Sequence, residues 1–200
     1  MISINYRWLF LYKLALQLSF GLRYRERYLA VSKLIPDDVH VVDYCCGDAK
    51  IYTSHLKHRP IEYLGLDFND RFISVLRSRG VPCQIFNVRD AEPMVADYSL
   101  MMGSLYQFIP THVELVDRIL RHTKRFIISE PVRNHAESRN WFIRRAAYLL
   151  NNPGDGIKSD RFTPASFREF LANYADRIVT CLEGDVEITV VLNGDLEERK

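Results

Sequence analysis

Residues 41–50 read VVDYCCGDAK. Two valines and a tyrosine surround Asp43, two cysteines come next, and then Gly47 and Asp48 interrupt the apolar run. A short apolar segment that stops at turn residues has the pattern of a buried strand. The residues just past that strand decide the fold. They form either a polar turn closing it or a bend with so little side-chain bulk that main chain can lie against a ligand. Only the sequence on either side separates the two.

Upstream, Tyr24, Tyr28, Val31 and Ile35 recur at helical spacing and Pro36 ends the helix. Downstream, apolar strands and helices alternate. A helix is expected around residues 49–58, then EYLGLDF as a second strand. Asn69 or Asp70 caps a helix that buries Phe72, Ile73, Val75 and Leu76 and stops at Gly80. CQIFNV reads as a third strand and YSLMMGS as a fourth. Thr111 and Glu114 form a capping box before a buried stripe of Val113, Val116, Ile119 and Leu120, and RFIISEP is the fifth strand. This alternation implies right-handed crossovers and a parallel sheet covered on both faces. After a polar insertion at about 132–162, Thr163-Pro164 starts a helix with Phe167, Phe170, Leu171 and Tyr174 inward. The last two strands, RIVTCLE and VEITVVL, are joined at Gly184-Asp185, a signal for an antiparallel hairpin. A dinucleotide-binding sheet would add its sixth strand in parallel, so the hairpin indicates a different doubly wound fold.

Bulk properties narrow the field. A chain of 200 residues, 48% hydrophobic and 26% charged, suits one globular domain, and a net charge of +2 gives no case for a nucleic-acid partner. Residues 1–35 carry six basic side chains against Glu26 alone, which reads first as a solvated helix face. Cys45, Cys46, Cys83 and Cys181 match no zinc spacing and no disulfide framework, so no metal is expected and a reducing cytoplasm is the default. The apolar run Trp8–Phe20 is broken by Lys13 and is shorter than the ~20 residues of a membrane span. It reads as a retained amphipathic helix.

DYCCGDA at 43–49 has the spacing of the first motif of the class I S-adenosylmethionine-dependent methyltransferases, D-x-G-x-G-x-G, and the chain resembles that family over roughly residues 36–194. Asp43 and Gly47 match, while Cys45 and Ala49 replace the first and third glycines with small side chains. The resemblance implies an α/β fold, a doubly wound seven-stranded mostly parallel sheet of order 3-2-1-4-5-7-6 ending in the antiparallel hairpin. It also implies S-adenosylmethionine as cofactor. Asp67 would grip the ribose diol and Phe68 lie beside it, Asn87 and Asp90 compete to hold the adenine, and the end of strand four (Gly103, Ser104, Leu105, Tyr106) would wall the methyl site. Asp97 would point away and be structural.

Methyl transfer asks the protein for alignment and dryness, and for a base only when the acceptor is protonated. Tyr106, Glu130 and His135 are the candidates. No N-P-P-Y-type tetrapeptide follows strand four, which argues against DNA-adenine or protein-glutamine acceptors. The insertion carries Arg133, Arg139, Arg144, Arg145, Lys158 and Arg161 with Trp141 and Phe142 among them, a composition suited to a small anionic or amphiphilic acceptor. Residues 1–35, with Tyr6, Trp8, Phe10 and Tyr12, form a helical extension to a 36–200 domain. Lid, homodimer contact and peripheral membrane contact all stay open for it. Two other readings remain. One is a degenerate, non-catalytic member that binds a ligand or partner. The other is a nicotinamide oxidoreductase, disfavoured by Lys50 where a small residue is needed.

Overall fold

The computed structural model describes residues 23–132 and 161–196. Its centre is one seven-stranded sheet in the order β3-β2-β1-β4-β5-β7-β6. The strands are β1 (His40–Tyr44), β2 (Glu62–Asp67), β3 (Cys83–Ile85), β4 (Ala96–Met102), β5 (Thr123–Pro131), β6 (Ile178–Glu183) and β7 (Glu187–Asn193). β1 to β5 pair in parallel, and β7 runs antiparallel to both β5 and β6. Sequence order reverses between β1 and β4, so the crevice beyond their carboxyl ends is the place where such sheets take ligands.

Alternation along the strands builds a core on each face. Val42, Tyr44, Met101, Phe126 and Ile128 pack with helices α3 (His112–Leu120) and α4 (Pro164–Ala172). Val41, Leu100 and Ile127 pack on the other face with Tyr28, Val31 and Ile35, which belong to α1 (Arg23–Ser32) and its exit. Arg59 ties that exit down, donating to the carbonyls of Ser32 (2.8 Å) and Ile35 (2.6 Å) at the helix end. Helix α2 (Asp70–Ser78) is capped by Asn69, whose side chain accepts from the amides of Arg71 and Phe72. α4 has a true capping box between Thr163 and Ser166.

Local expectations changed in five places. The helix expected at 49–58 forms, but over Tyr52–Leu56 it is wound as a π-helix, with Lys57 N bonded to Tyr52 O. Thr53 Oγ1 donates back to the Ala49 carbonyl, a contact that loosens regular winding. The Thr111 hydroxyl donates to Phe108 O and caps nothing, so the box read with Glu114 does not form. On α3 the buried stripe runs through Leu115, and Val113 is only half-buried. Gly184 N bonds Glu187 O, so the hairpin reverses across Asp185 and Val186, one residue later than read. Arg27, counted with a solvated basic face, is buried. Most of the 1–35 extension and residues 133–160 of the insertion lie outside the described residues, His135, Trp141 and Phe142 included.

Candidate functional site

The bend after β1 is left-handed at alternate residues, with φ of 56° at Cys45, 55° at Gly47 and 48° at Ala49. These are the three positions where the motif carries glycine. Cys45 and Ala49 therefore hold a glycine-like backbone in spite of their Cβ atoms. The bend turns its amides inward: Gly47 N donates to Asp67 Oδ2 at 2.9 Å, and Cys46 N to Leu66 O at 3.0 Å.

Asp67 ends β2 and is almost wholly buried. Its second oxygen, Oδ1, accepts from Asn69 N at 2.9 Å, so one carboxylate joins the β1 bend to the start of α2. Each oxygen keeps a lone pair for a further donor. Burial pushes its pKa up against the pull of the Asn69, Gly47 and Phe68 amides.

Asp43 does not cap its own turn. It points to the α1 face and accepts from the Tyr63 hydroxyl at 2.8 Å. Tyr63 lies two residues before Gly65, on the same side of β2, and stacks on Tyr52 at 4.4 Å between centroids. A Cβ on Gly65 would sit 3.0 Å from Cys46 Sγ and 3.1 Å from Tyr63 Oη, so only glycine leaves the ring its place. Burial, with Asp67 and Asp48 nearby, raises Asp43 to about 7 even though Tyr63 supports the ionised form. Burial, with Asp43 and Asp67 nearby, lifts both Cys45 and Cys46 well above an ordinary thiol, which leaves them neutral.

Beside the bend lies a cavity of ≈ 160 Å³ bounded by Cys45, Phe68, Phe86, Asn87, Val88 and Phe108. Its walls are apolar faces, and half-exposed Phe68 stands at its rim. Arg89 lies over the Phe108 ring at 4.6 Å and donates to Gln107 O. Arg118 reaches from α3 to the carbonyls of Val88, Arg89 and Ala91 and holds that wall. Asn87 lines the cavity, whereas Asp90 is exposed and bonds the Asn87 side chain to close the turn. β3 stops at Ile85, so Phe86 and Val88, read as strand, form the cavity wall instead.

Beyond β4, Gly103 takes φ 66° and Ser104 is buried, its hydroxyl donating to Met102 O. Tyr106 is buried in the turn Leu105–Phe108. Arg161 lies over its ring at 4.3 Å and donates to its hydroxyl. Glu130, at the end of β5, has no exposed surface and accepts from Leu105 N at 2.6 Å. Burial carries its pKa to about 8. Next to it, Arg27 pairs with Glu187 at 2.6 Å, and Ser129 bonds both Glu187 and Thr189. Asp97 sits at the opposite end of the sheet, bonded to His40 N and Lys124, and takes no part. Tyr63, Arg27, Glu187 and Phe108 escaped the sequence reading. Only Tyr63 left a signal there, the glycine two residues on.

No protein-family model matches the chain, and no curated protein matches it by sequence. Solved structures match by fold. The CurJ carbon methyltransferase aligns at TM-score 0.67 and 10% identity over 96% of this chain and 60% of its own. A putative methyltransferase of Haloferax volcanii, in complex with the Trm112 methyltransferase activator, aligns at 0.62 and 13% over 88% and 90%. The N-terminal domain of EvdMO1 with SAH bound aligns at 0.58 and 15% over 84% and 80%. The shared architecture, terminal hairpin included, is that of the class I S-adenosylmethionine-dependent methyltransferases.

Proposed function

We propose that this protein is an S-adenosylmethionine-dependent methyltransferase acting on a small acceptor, anionic or amphiphilic. One observation carries the reading: the left-handed bend at Cys45–Ala49, the Asp67 carboxylate and the apolar cavity adjoin in the order that a tail, a ribose and an adenine require. The residues present fit that cofactor. The cavity takes a planar base between Phe86, Val88 and Phe108, with Asn87 supplying polar atoms at its edge. Asp67 has one lone pair per oxygen left for a diol, and Phe68 covers the sugar at the rim. The bend at Cys45, Gly47 and Ala49 brings main chain close, and Ser104 bounds the tail from β4. Asp43, buried beside Asp48 and Asp67, adds negative potential that suits a cationic guest.

When bound, the cofactor supplies an electrophilic methyl on a sulfonium, and the chain's part is to align the acceptor and exclude water. Tyr106, with Arg161 on its ring, offers a cationic and aromatic surface on the acceptor side. Arg161 also supports an acceptor that bears negative charge. We place the reaction in a reducing cytoplasm, since all four cysteines are free. Among the described residues no helix is long and apolar enough to cross a membrane. The degenerate, non-catalytic reading drew on the two missing glycines and on the absence of a clear base, and the backbone at Cys45 and Ala49 removes the first of these motives.

Calorimetric titration of the full chain with S-adenosylhomocysteine tests the assignment. Saturable binding near one equivalent is expected, and a silent titration of folded protein would overturn it.

A further inference from the structure

Among the described residues, Glu130, at the carboxyl end of β5, is the buried carboxylate with a bare oxygen. Its Oε1 accepts from Leu105 N and the Ser104 amide lies close enough to favour the ionised carboxyl, while Oε2 is buried and no hydrogen bond of good geometry reaches it among the described residues. A buried polar atom left in that state signals a missing partner. The nearby cation does not supply it, because the Arg27 guanidinium pairs with Glu187 at 2.6 Å on the other face of the sheet.

We propose that Glu130 recognises the α-ammonium of the cofactor's amino-acid tail, Oε2 taking the hydrogen bond that the described protein leaves unmade. The assignment rests on the methyltransferase reading above. Distances favour it. Glu130 belongs to β5 but leans to the Leu105 amide just past β4, so its carboxyl lies about two strand spacings, ~10 Å, from Asp67 at the end of β2. A six-bond saturated tail reaches ~7 Å when extended. A hydrogen bond at each end, from the diol to Asp67 and from the tail to Glu130, adds ~3 Å apiece, so the gap lies within reach of a tail that need not be fully extended. The donor at the end of that reach is the ammonium, whereas a sulfonium has no N–H to give. Buried apart from water, the carboxyl is held protonated near neutral pH until a cation arrives. The charged groups that act on it are Arg27 from α1 and Glu187 from β7, both across the sheet, with the Cys45 thiol beyond β1.

The test compares S-adenosylhomocysteine with 5′-methylthioadenosine, which keeps the adenosine and thioether but lacks the amino-acid tail. Glu130→Gln retains an acceptor for Leu105. It should weaken S-adenosylhomocysteine at least tenfold and leave 5′-methylthioadenosine within about twofold, the gap expected when one charge-assisted bond is lost. Equal losses for both ligands would make Glu130 merely structural, and unchanged affinity would equally overturn the proposal. If the variant does not fold, the natural protein decides. Titrations near pH 7 in buffers of different ionisation enthalpy should show proton release with S-adenosylhomocysteine beyond any with 5′-methylthioadenosine. Asp67, beside the ribose, contributes alike to both, and Asp43 faces Tyr63 on the far side of the sheet. Identical proton release for the two ligands would refute it. A natural protein that binds neither ligand would sink the cofactor assignment itself, a distinguishable failure.

Discussion

Asp67→Asn should loosen the apoprotein before any ligand is added. Both carboxylate oxygens accept backbone amides at 2.9 Å, Gly47 N on one and Asn69 N on the other. An asparagine has one oxygen, so whichever way its amide turns, one backbone N–H faces an NH₂ group. Leaving a buried donor unsatisfied costs about 1–3 kcal/mol. The surviving bond, no longer to a charged acceptor, weakens by about 1 kcal/mol. Against this, burial already penalises the ionised form of Asp67, so a neutral side chain recovers part of the loss. The net is about 1–3 kcal/mol, or roughly 3–10 °C in Tm for a chain of this size. Scanning calorimetry without ligand measures that loss, and titration of the same sample with S-adenosylhomocysteine should show affinity falling at least tenfold. A variant melting with the natural protein would show that the carboxylate is no strut of the bend. One that melts lower yet binds equally well would remove it from the ribose.

Two further perturbations test the same crevice. Gly65→Ala should cost about 1–3 kcal/mol by displacing Tyr63 and Cys46. Tyr63→Phe added to it should cost clearly less than Tyr63→Phe alone, because the bond to Asp43 is already broken, and additive losses in chemical denaturation would refute that coupling. Stability should also fall with rising pH. Asp43 and Glu130 are raised in the folded protein from 3.8 to about 7 and from 4.5 to about 8. Their contribution is complete below pH ~4 and is lost as pH climbs through those values. The apoprotein should therefore be about 2–5 kcal/mol more stable at pH 5.5 than at 8.5 in denaturant titrations, and a gain in stability over that interval would contradict the burial of these acids.

Asp43, Gly47 and Asp67 were legible because an acid at the end of an apolar strand stands out against the run before it. The terminal hairpin was legible for a related reason: strands RIVTCLE and VEITVVL alternate, and only two or three residues separate them. Contacts between distant segments left no such mark. Arg27 reads as a surface cation because a sequence does not show that Glu187, far along the chain, comes to meet it. Phe86 and Val88 read as strand because apolar residues that line a cavity and apolar residues that line a sheet look alike in a row. The Thr111 cap failed because its backbone, at φ −87° and ψ 13°, is not the extended form a cap needs, and its hydroxyl turns back to donate to Phe108 O. Pattern reports which side chains avoid water, and tertiary contacts decide what they avoid it with.

Cys45 and Ala49 put that distinction in energetic terms. A left-handed φ costs a residue with a Cβ about 1–2 kcal/mol. Glycine escapes that strain, yet its larger freedom when unfolded costs about 0.5–1 kcal/mol. Ala49 is fully buried, and one buried methyl returns about 0.8 kcal/mol. The two sides nearly cancel, and Cys45, half-buried against the α3-side core, offsets its strain in the same way. Glycine at these positions is thus the easiest residue for the bend without being the only stable one. What a ligand meets is the conformation, amides inward and carboxylates behind them, and this chain forms it with a thiol and a methyl where the pattern would have hydrogen.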